Sequence, residues 1–210
     1  PVWVAGSYGT TRVVDNCFDK GGTSVSLFNT EGAIDVSHNR FTDVGAGQRK
    51  AGSATGEFCL RLYYISCKEG VDGSVCHNTF DNCQGQSSMY SLIRFFSGDS
   101  NETAYSPVNC SLKVNHNTFR NKTVYRTSDG YNYVFYGNNT ITTTASVDWR
   151  WNHYDNSEMC FGWVKPSWAS ASGRYFGGSS EIFEHSTGTT TGTEVDFYGK
   201  KDANGVVQFG

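Results

Sequence analysis

Three carboxylates and three guanidiniums fall near one another along this 210-residue chain: Asp99, Glu102 and Asp129 in the stretch that holds Arg94 and Arg126, with Arg61 upstream beside Glu57. Two carboxyl groups held about 5 to 9 Å apart can cleave a glycosidic bond, one as acid and the other as nucleophile or base. Asp99, Glu102 and Asp129 are therefore the candidate catalytic set. Arg61, Arg94 and Arg126, with Glu57, are candidate substrate-binding groups, because a guanidinium grips a uronate carboxylate or sugar hydroxyls with paired N–H donors. Tyr63, Tyr90 and Trp149 each offer a ring face to a pyranose. A lyase would need a base and a cation on the uronate instead, and an Arg supplies that charge. The plainer reading is a solvated sheet face whose Arg–carboxylate pairs are worth ~0.5 kcal/mol each.

These side chains need strands to position them. Phe58-Cys59-Leu60-Arg61-Leu62-Tyr63-Tyr64-Ile65, Ser91-Leu92-Ile93-Arg94-Phe95-Phe96 and Thr123-Val124-Tyr125-Arg126-Thr127 each flank an Arg with inward-facing residues. If the three stack, the arginines form one outward column, with Ser26 of Ser24-Val25-Ser26-Leu27 in the circuit before. Loops over 43–57 and 97–107 would rise beside it. Loops of that length are uncommon unless functional or disordered.

A repeat organises the strands. His38-Asn39-Arg40-Phe41, His77-Asn78-Thr79-Phe80 and His116-Asn117-Thr118-Phe119 recur at a spacing of 39 residues. Asn16-Cys17-Phe18 lies 23 residues before Asn39, and Asn139-Thr140-Ile141 lies 22 after Asn117, as degenerate copies. Before each Asn the chain alternates apolar and polar residues, as in Ile34-Asp35-Val36-Ser37, the period of a half-buried strand. A self-similar period of this kind belongs to architectures whose units bury their apolar faces against their neighbours. Strand periodicity excludes helical solenoids, and spacings of 22 and 23 are too short for a four-stranded propeller blade. One circuit of parallel strands fits, with the 39-residue copies carrying a long loop. Circuits about 4.8 Å apart let identical Asn side chains form an amide ladder, with the Phe two residues on stacking inward. The recurring His needs no role beyond stacking or turn hydrogen bonding.

On this N-x-F core, over residues 13 to 145, the chain resembles the right-handed parallel β-helix proteins of the pectate-lyase-like class, which includes polysaccharide lyases, hydrolases and bacteriophage tailspikes. The resemblance implies an all-β, right-handed single-stranded parallel β-helix over 1–145. Residues 146–210, rich in aromatics from Trp149 to Trp168, would form a short irregular cap and tail. It further implies a phage tailspike or tail-fibre domain on the virion tail, a homotrimer that recognises a bacterial surface polysaccharide and could depolymerise it. A secreted polysaccharide lyase or glycoside hydrolase, and a non-catalytic adhesin, are the rival readings. The contiguous calcium-ligating Asp cluster common in pectate lyases is not visible.

Composition bounds the rest. With 24 Gly, 3 Pro and 15% aromatic residues the chain favours strands and tight turns. A net charge of −3 argues against a nucleic-acid partner, and no apolar run is long enough for a membrane span. The strand-like opening Pro1-Val2-Trp3-Val4, without an initiator Met, reads as a mature or trimmed piece of something longer. Seven Cys form an odd set without C-x-x-C spacing. Mainly free thiols are expected, the alternatives being Cys59–Cys67 or Cys76–Cys83 disulfides. No His pair has metal-binding spacing, and no metal or cofactor is expected. Asn204-Gly205 is a hairpin signal in the tail.

Overall fold

Short alternating runs punctuated by single turn residues produce strands of three to seven residues in each full circuit. The computed structural model describes residues 1–45, 59–66, 72–84, 91–97, 110–123, 126–127, 130–131, 134–139, 145–164, 174–176, 181–191, 196–197, 200–201 and 207–208. Among these the chain is all-β, and it visits three sheets in turn.

The first sheet stacks Val2–Ala5, Val25–Glu31, Leu60–Ser66, Ile93–Ser97, Phe135–Asn139, Glu158–Val164 and Thr187–Thr191. The second stacks Thr11–Val14, Ile34–Ser37, Asp72–Cys76, Cys110–Asn115, Ala145–Arg150, Arg174–Phe176 and Asp196–Phe197. The third stacks Cys17–Asp19, Arg40–Thr42, Thr79–Asp81, Thr118–Arg120, His153–Asp155 and Ile182–Glu184. All neighbours within these stacks are parallel, an arrangement compatible with a parallel β-helix. The antiparallel exceptions are the hairpin of Arg126–Thr127 with Gly130–Tyr131 and the tail strands Lys200–Lys201 and Val207–Gln208, the latter on the edge of the first sheet.

The core follows from the alternation. Val25, Leu27, Leu60, Leu62, Ile93 and Phe95 point inward from the first sheet, and Ile34, Val36, Val75, Leu112, Val114 and Val147 from the second. From the third, Phe18, Phe41, Phe80 and Phe119 stack at 4.9 Å between ring centroids, their planes nearly parallel. The stack continues through Tyr154 and Phe183. Beside it the Asn ladder forms as the spacing implies. Asn78 Nδ2 donates to Asn117 Oδ1 at 3.1 Å and to the Val36 carbonyl at 2.8 Å, while Asn78 Oδ1 accepts from the Asn39 N–H and side-chain amide at 3.0 Å each.

Two expectations are corrected here. The next ladder member is Asn152, whose Oδ1 accepts from Asn117; Asn139 instead ends the first-sheet strand Phe135–Asn139. Nor does pairing lapse at residue 145, because Ala145–Arg150, His153–Asp155 and Glu158–Val164 continue the second, third and first sheets in register. The aromatics expected to form an irregular cap include core residues of that circuit: Trp149, Tyr154 and Phe161 are buried.

Candidate functional site

Leu60 and Leu62 turn inward, which sends Arg61 to the outer side of the first sheet, and Ile93 and Phe95 do the same for Arg94. The register sets Trp3, Ser26, Arg61, Arg94 and Tyr136 side by side on successive circuits. Two of the three arginines are thus brought together. Tyr63 lies with them: the Arg61 guanidinium sits 4.1 Å from the Tyr63 ring centroid and 5.9 Å from that of Phe28. This outer row is not uniformly open to solvent, since Trp3 is 66% exposed while Ser26 and Arg94 are 1% and 5% exposed.

Arg126 does not join the row. It belongs to the two-residue strand paired antiparallel with Gly130–Tyr131, and Tyr136 takes the place beside Arg94. The column of three is therefore a pair. Trp149 is not a sugar platform either: it is fully buried, with its indole N–H donating to the Tyr154 hydroxyl at 2.6 Å. Glu57, Tyr90, Asp99, Glu102 and Asp129 lie outside the described residues, as do most of the two loops expected to flank the row.

Several groups of unusual chemistry escaped the sequence reading. Glu181 occupies the ladder position after Asn152: its carboxyl accepts from the Asn152 N–H at 3.1 Å and from the Tyr154 hydroxyl. Burial pushes the Glu181 carboxyl up to about 7, against the lowering effect of the Tyr154 and Asn152 hydrogen bonds. The signal was present as Glu181-Ile182-Phe183, an N-x-F copy with Glu for Asn. Lys122 is buried at the corner after the third sheet, its Nζ donating to the Thr123 carbonyl at 2.7 Å. Desolvation brings that amine down to about 7, although Cys160, Glu158, Cys83 and Cys59 pull the other way.

The thiols of Cys17, Cys59, Cys76, Cys83 and Cys160 are all free. Cys76–Cys83 is not a disulfide: Cys76 Sγ accepts from Ser74 Oγ, and Cys83 Sγ donates to the Phe41 carbonyl. Cys59 hydrogen-bonds to Cys83 instead, and burial raises its thiol well above the usual range.

The repeated His residues line the corner between the second and third sheets, His38 on His77 at 5.1 Å and His77 on His116 at 5.0 Å, with Trp151 on His116 at 5.4 Å. Desolvation holds His77 below the ordinary imidazole value, helped by His116 and His38. Among the described residues no group of three or more His, Cys, Asp or Glu could hold a metal ion, and no helix is long and apolar enough to cross a membrane. No protein-family model, curated protein or solved structure matches the chain.

Proposed function

We propose that this chain is a right-handed parallel β-helix serving as the glycan-recognition domain of a phage tailspike or tail fibre, homotrimeric on the virion and directed at a bacterial surface polysaccharide. The observation that carries the reading is the outer row of the first sheet, where Arg61 and Arg94 stand in register on adjacent circuits and Arg61 lies against Tyr63. A stack of parallel circuits repeats its side chains in straight rows, which suits a linear polymer that repeats its own groups. Arg61 supplies paired N–H donors to hydroxyls or uronate carboxylates, and the ring beside it holds the guanidinium plane in place. If the bound chain is also cleaved, Asp99, Glu102 and Asp129 are the candidate catalytic carboxylates.

The test uses the host's purified surface polysaccharide. Arg61→Met should weaken binding by about tenfold or more, the scale of one charge-assisted hydrogen-bonded contact, with the fold retained. Unchanged affinity would remove Arg61 and its row from the binding face. Release of reducing ends or unsaturated uronates separates a depolymerase from a binding spike, and mass in solution distinguishes a trimer from a secreted monomer.

A further inference from the structure

Among the described residues, five circuits turn from the second sheet to the third through one residue in the left-handed backbone region: Asp15, His38, His77, His116 and Trp151, at φ between 55° and 60°. The turn leaving the third sheet has the same conformation and is held by Lys20, Asp43, Asn82, Asn121, Asn156 and His185. Asn, Asp and His are the side chains most often found in that region, and an indole there is an outlier. Stacking of neighbouring rings contributes ~0.5–1.5 kcal/mol per pair, no more than the ~1–2 kcal/mol the left-handed turn costs a side chain of this kind. Asn serves the other turn well, with Asn156 donating to Asn121 at 2.9 Å. Turn chemistry alone does not choose His over Asn on three successive circuits or call for a Trp, and neither does core packing, because all four are exposed, Trp151 at 46%.

Both faces of His77 and of His116 and one face of His38 are occupied by neighbouring rings, and Trp151 meets His116 and, at 4.6 Å, the Arg150 guanidinium. What they present outward is ring edges, the electropositive side of an aromatic and the side that carries the N–H groups. The two rows bordering this one are Val14, Ser37, Cys76, Asn115 and Arg150 on the second sheet, and Cys17, Arg40, Thr79, Thr118, His153 and Ile182 on the third. Neither contains a carboxylate. The charged or titratable groups facing the rings are thus Arg40, Arg150, His153 and the thiols of Cys17 and Cys76, with Asp15 at one end. In the next second-sheet row out, Asp35 is held by Arg12 and Ser37, Asp148 is held by Arg150, and Lys113 adds a cation. The next third-sheet row out carries Asp19, Asp81, Arg120, Asp155 and Glu184; there Asp81 accepts from Asn121, Asp155 is paired with Arg120, and Glu184 with His153. The spacing of about 5 Å along the row is close to the length of one pyranose unit in an extended glycan.

We propose that the row His38, His77, His116 and Trp151 is a docking strip for a linear uronate-bearing polysaccharide running along the stack of circuits, gripped under acidic conditions and released as the pH rises. It rests on the glycan reading above but lies on a different part of the surface from Arg61. Protonated imidazoles donate from both ring nitrogens to carboxylates, and each gains charge only below its own midpoint. Desolvation, with the charges of His116 and His38 added to it, holds His77 low, and a bound polyanion, by offsetting the repulsion between the rings, draws a proton onto it.

The probe is an oligogalacturonate, with its methyl ester as the uncharged counterpart. Binding to the wild-type chain should be about tenfold or more tighter at about pH 5 than at about pH 8, and the ester should not compete. By nuclear magnetic resonance the His77 titration midpoint should move up when the oligogalacturonate is present. The triple variant His38→Asn, His77→Asn and His116→Asn keeps a residue suited to the turn; it should lose the pH dependence and about tenfold or more of the acid affinity, while Asn82→Gly, at the turn leaving the third sheet, retains both. Equal acid affinity in the triple variant, affinity independent of pH, or no binding of the wild-type chain at about pH 5 each overturns the strip. None of these touches the glycan reading itself, which stands or falls on host polysaccharide and Arg61→Met.

Discussion

Asn78 is held by four side-chain hydrogen bonds in the interior, two given and two received. Replacing it with Ala leaves the Val36 carbonyl and the Asn39 N–H without these partners, at about 1–3 kcal/mol for each buried group that stays unpaired. Asn82, exposed and at φ 51°, is the control: Asn82→Gly satisfies the turn and should stay within about 0.5 kcal/mol of wild type. Equal shifts of the melting temperature in the two variants would rule out a stabilising ladder. The ladder was readable in the sequence because one geometric demand recurs in every circuit, an amide that both gives and receives. It was misread where the residue type changed while the demand did not. Asn152 escaped because Trp151 precedes it where His precedes the others and Tyr154 follows where Phe follows, and Glu181 escaped because a carboxyl can take the accepting half of the role alone.

The third-sheet strands are three residues long, too short to owe their place to backbone pairing alone, and the column of rings behind them fixes their position. Phe80 lies between Phe41 and Phe119, buried on both sides. Phe80→Ala should cost about 3–5 kcal/mol, measurable by denaturant unfolding, and Phe18→Ala in the first circuit should cost less because Phe18 is only partly buried and has one stacking neighbour on its circuit's inner side. Similar losses for the two would show that the column does not set the strand positions. At this scale sequence pattern was a good guide to which strands exist and a poor one to which strands pair. Thr123-Val124-Tyr125-Arg126-Thr127 looks like Leu60–Ser66 and Ile93–Ser97, but Arg126–Thr127 pairs antiparallel with Gly130–Tyr131 and the parallel pairing passes to Phe135–Asn139. Alternation reports which face a residue prefers; it carries no information about which circuit the strand joins. That is why Arg61 and Arg94 were correctly placed together and Arg126 was not, and why Trp149, counted among exposed rings, lies in the core.

Across the whole molecule, two buried ionisable groups in different circuits bias stability in opposite directions on either side of neutrality. Glu181 titrates near 7 in the folded chain against an ordinary value of 4.5. Between those limits the folded chain holds a proton that the unfolded chain has released, so its stabilising contribution is complete in acid and is lost as the pH rises through about 7. Lys122 titrates near 7 against an ordinary value of 10.5. Between those limits the unfolded chain holds a proton that the folded chain lacks, so stability rises with pH above about 7, and below 7 the full cost of burying the amine remains. The sum of the two has its minimum near neutral pH, with limbs no steeper than about 1.4 kcal/mol per pH unit. Other carboxylates add their own slopes, so the comparison is made by difference. Glu181→Gln keeps the shape and the accepting oxygen; its stability relative to wild type should climb between about pH 4.5 and 7 and then level off. Lys122→Met should gain relative to wild type as pH falls from about 10.5 to 7 and then level off. Denaturant unfolding of the three proteins across that range measures both differences. A flat difference curve for either variant would mean that its group titrates in the folded chain as it does in the unfolded one, and the polar burial at that end of the stack would need another explanation.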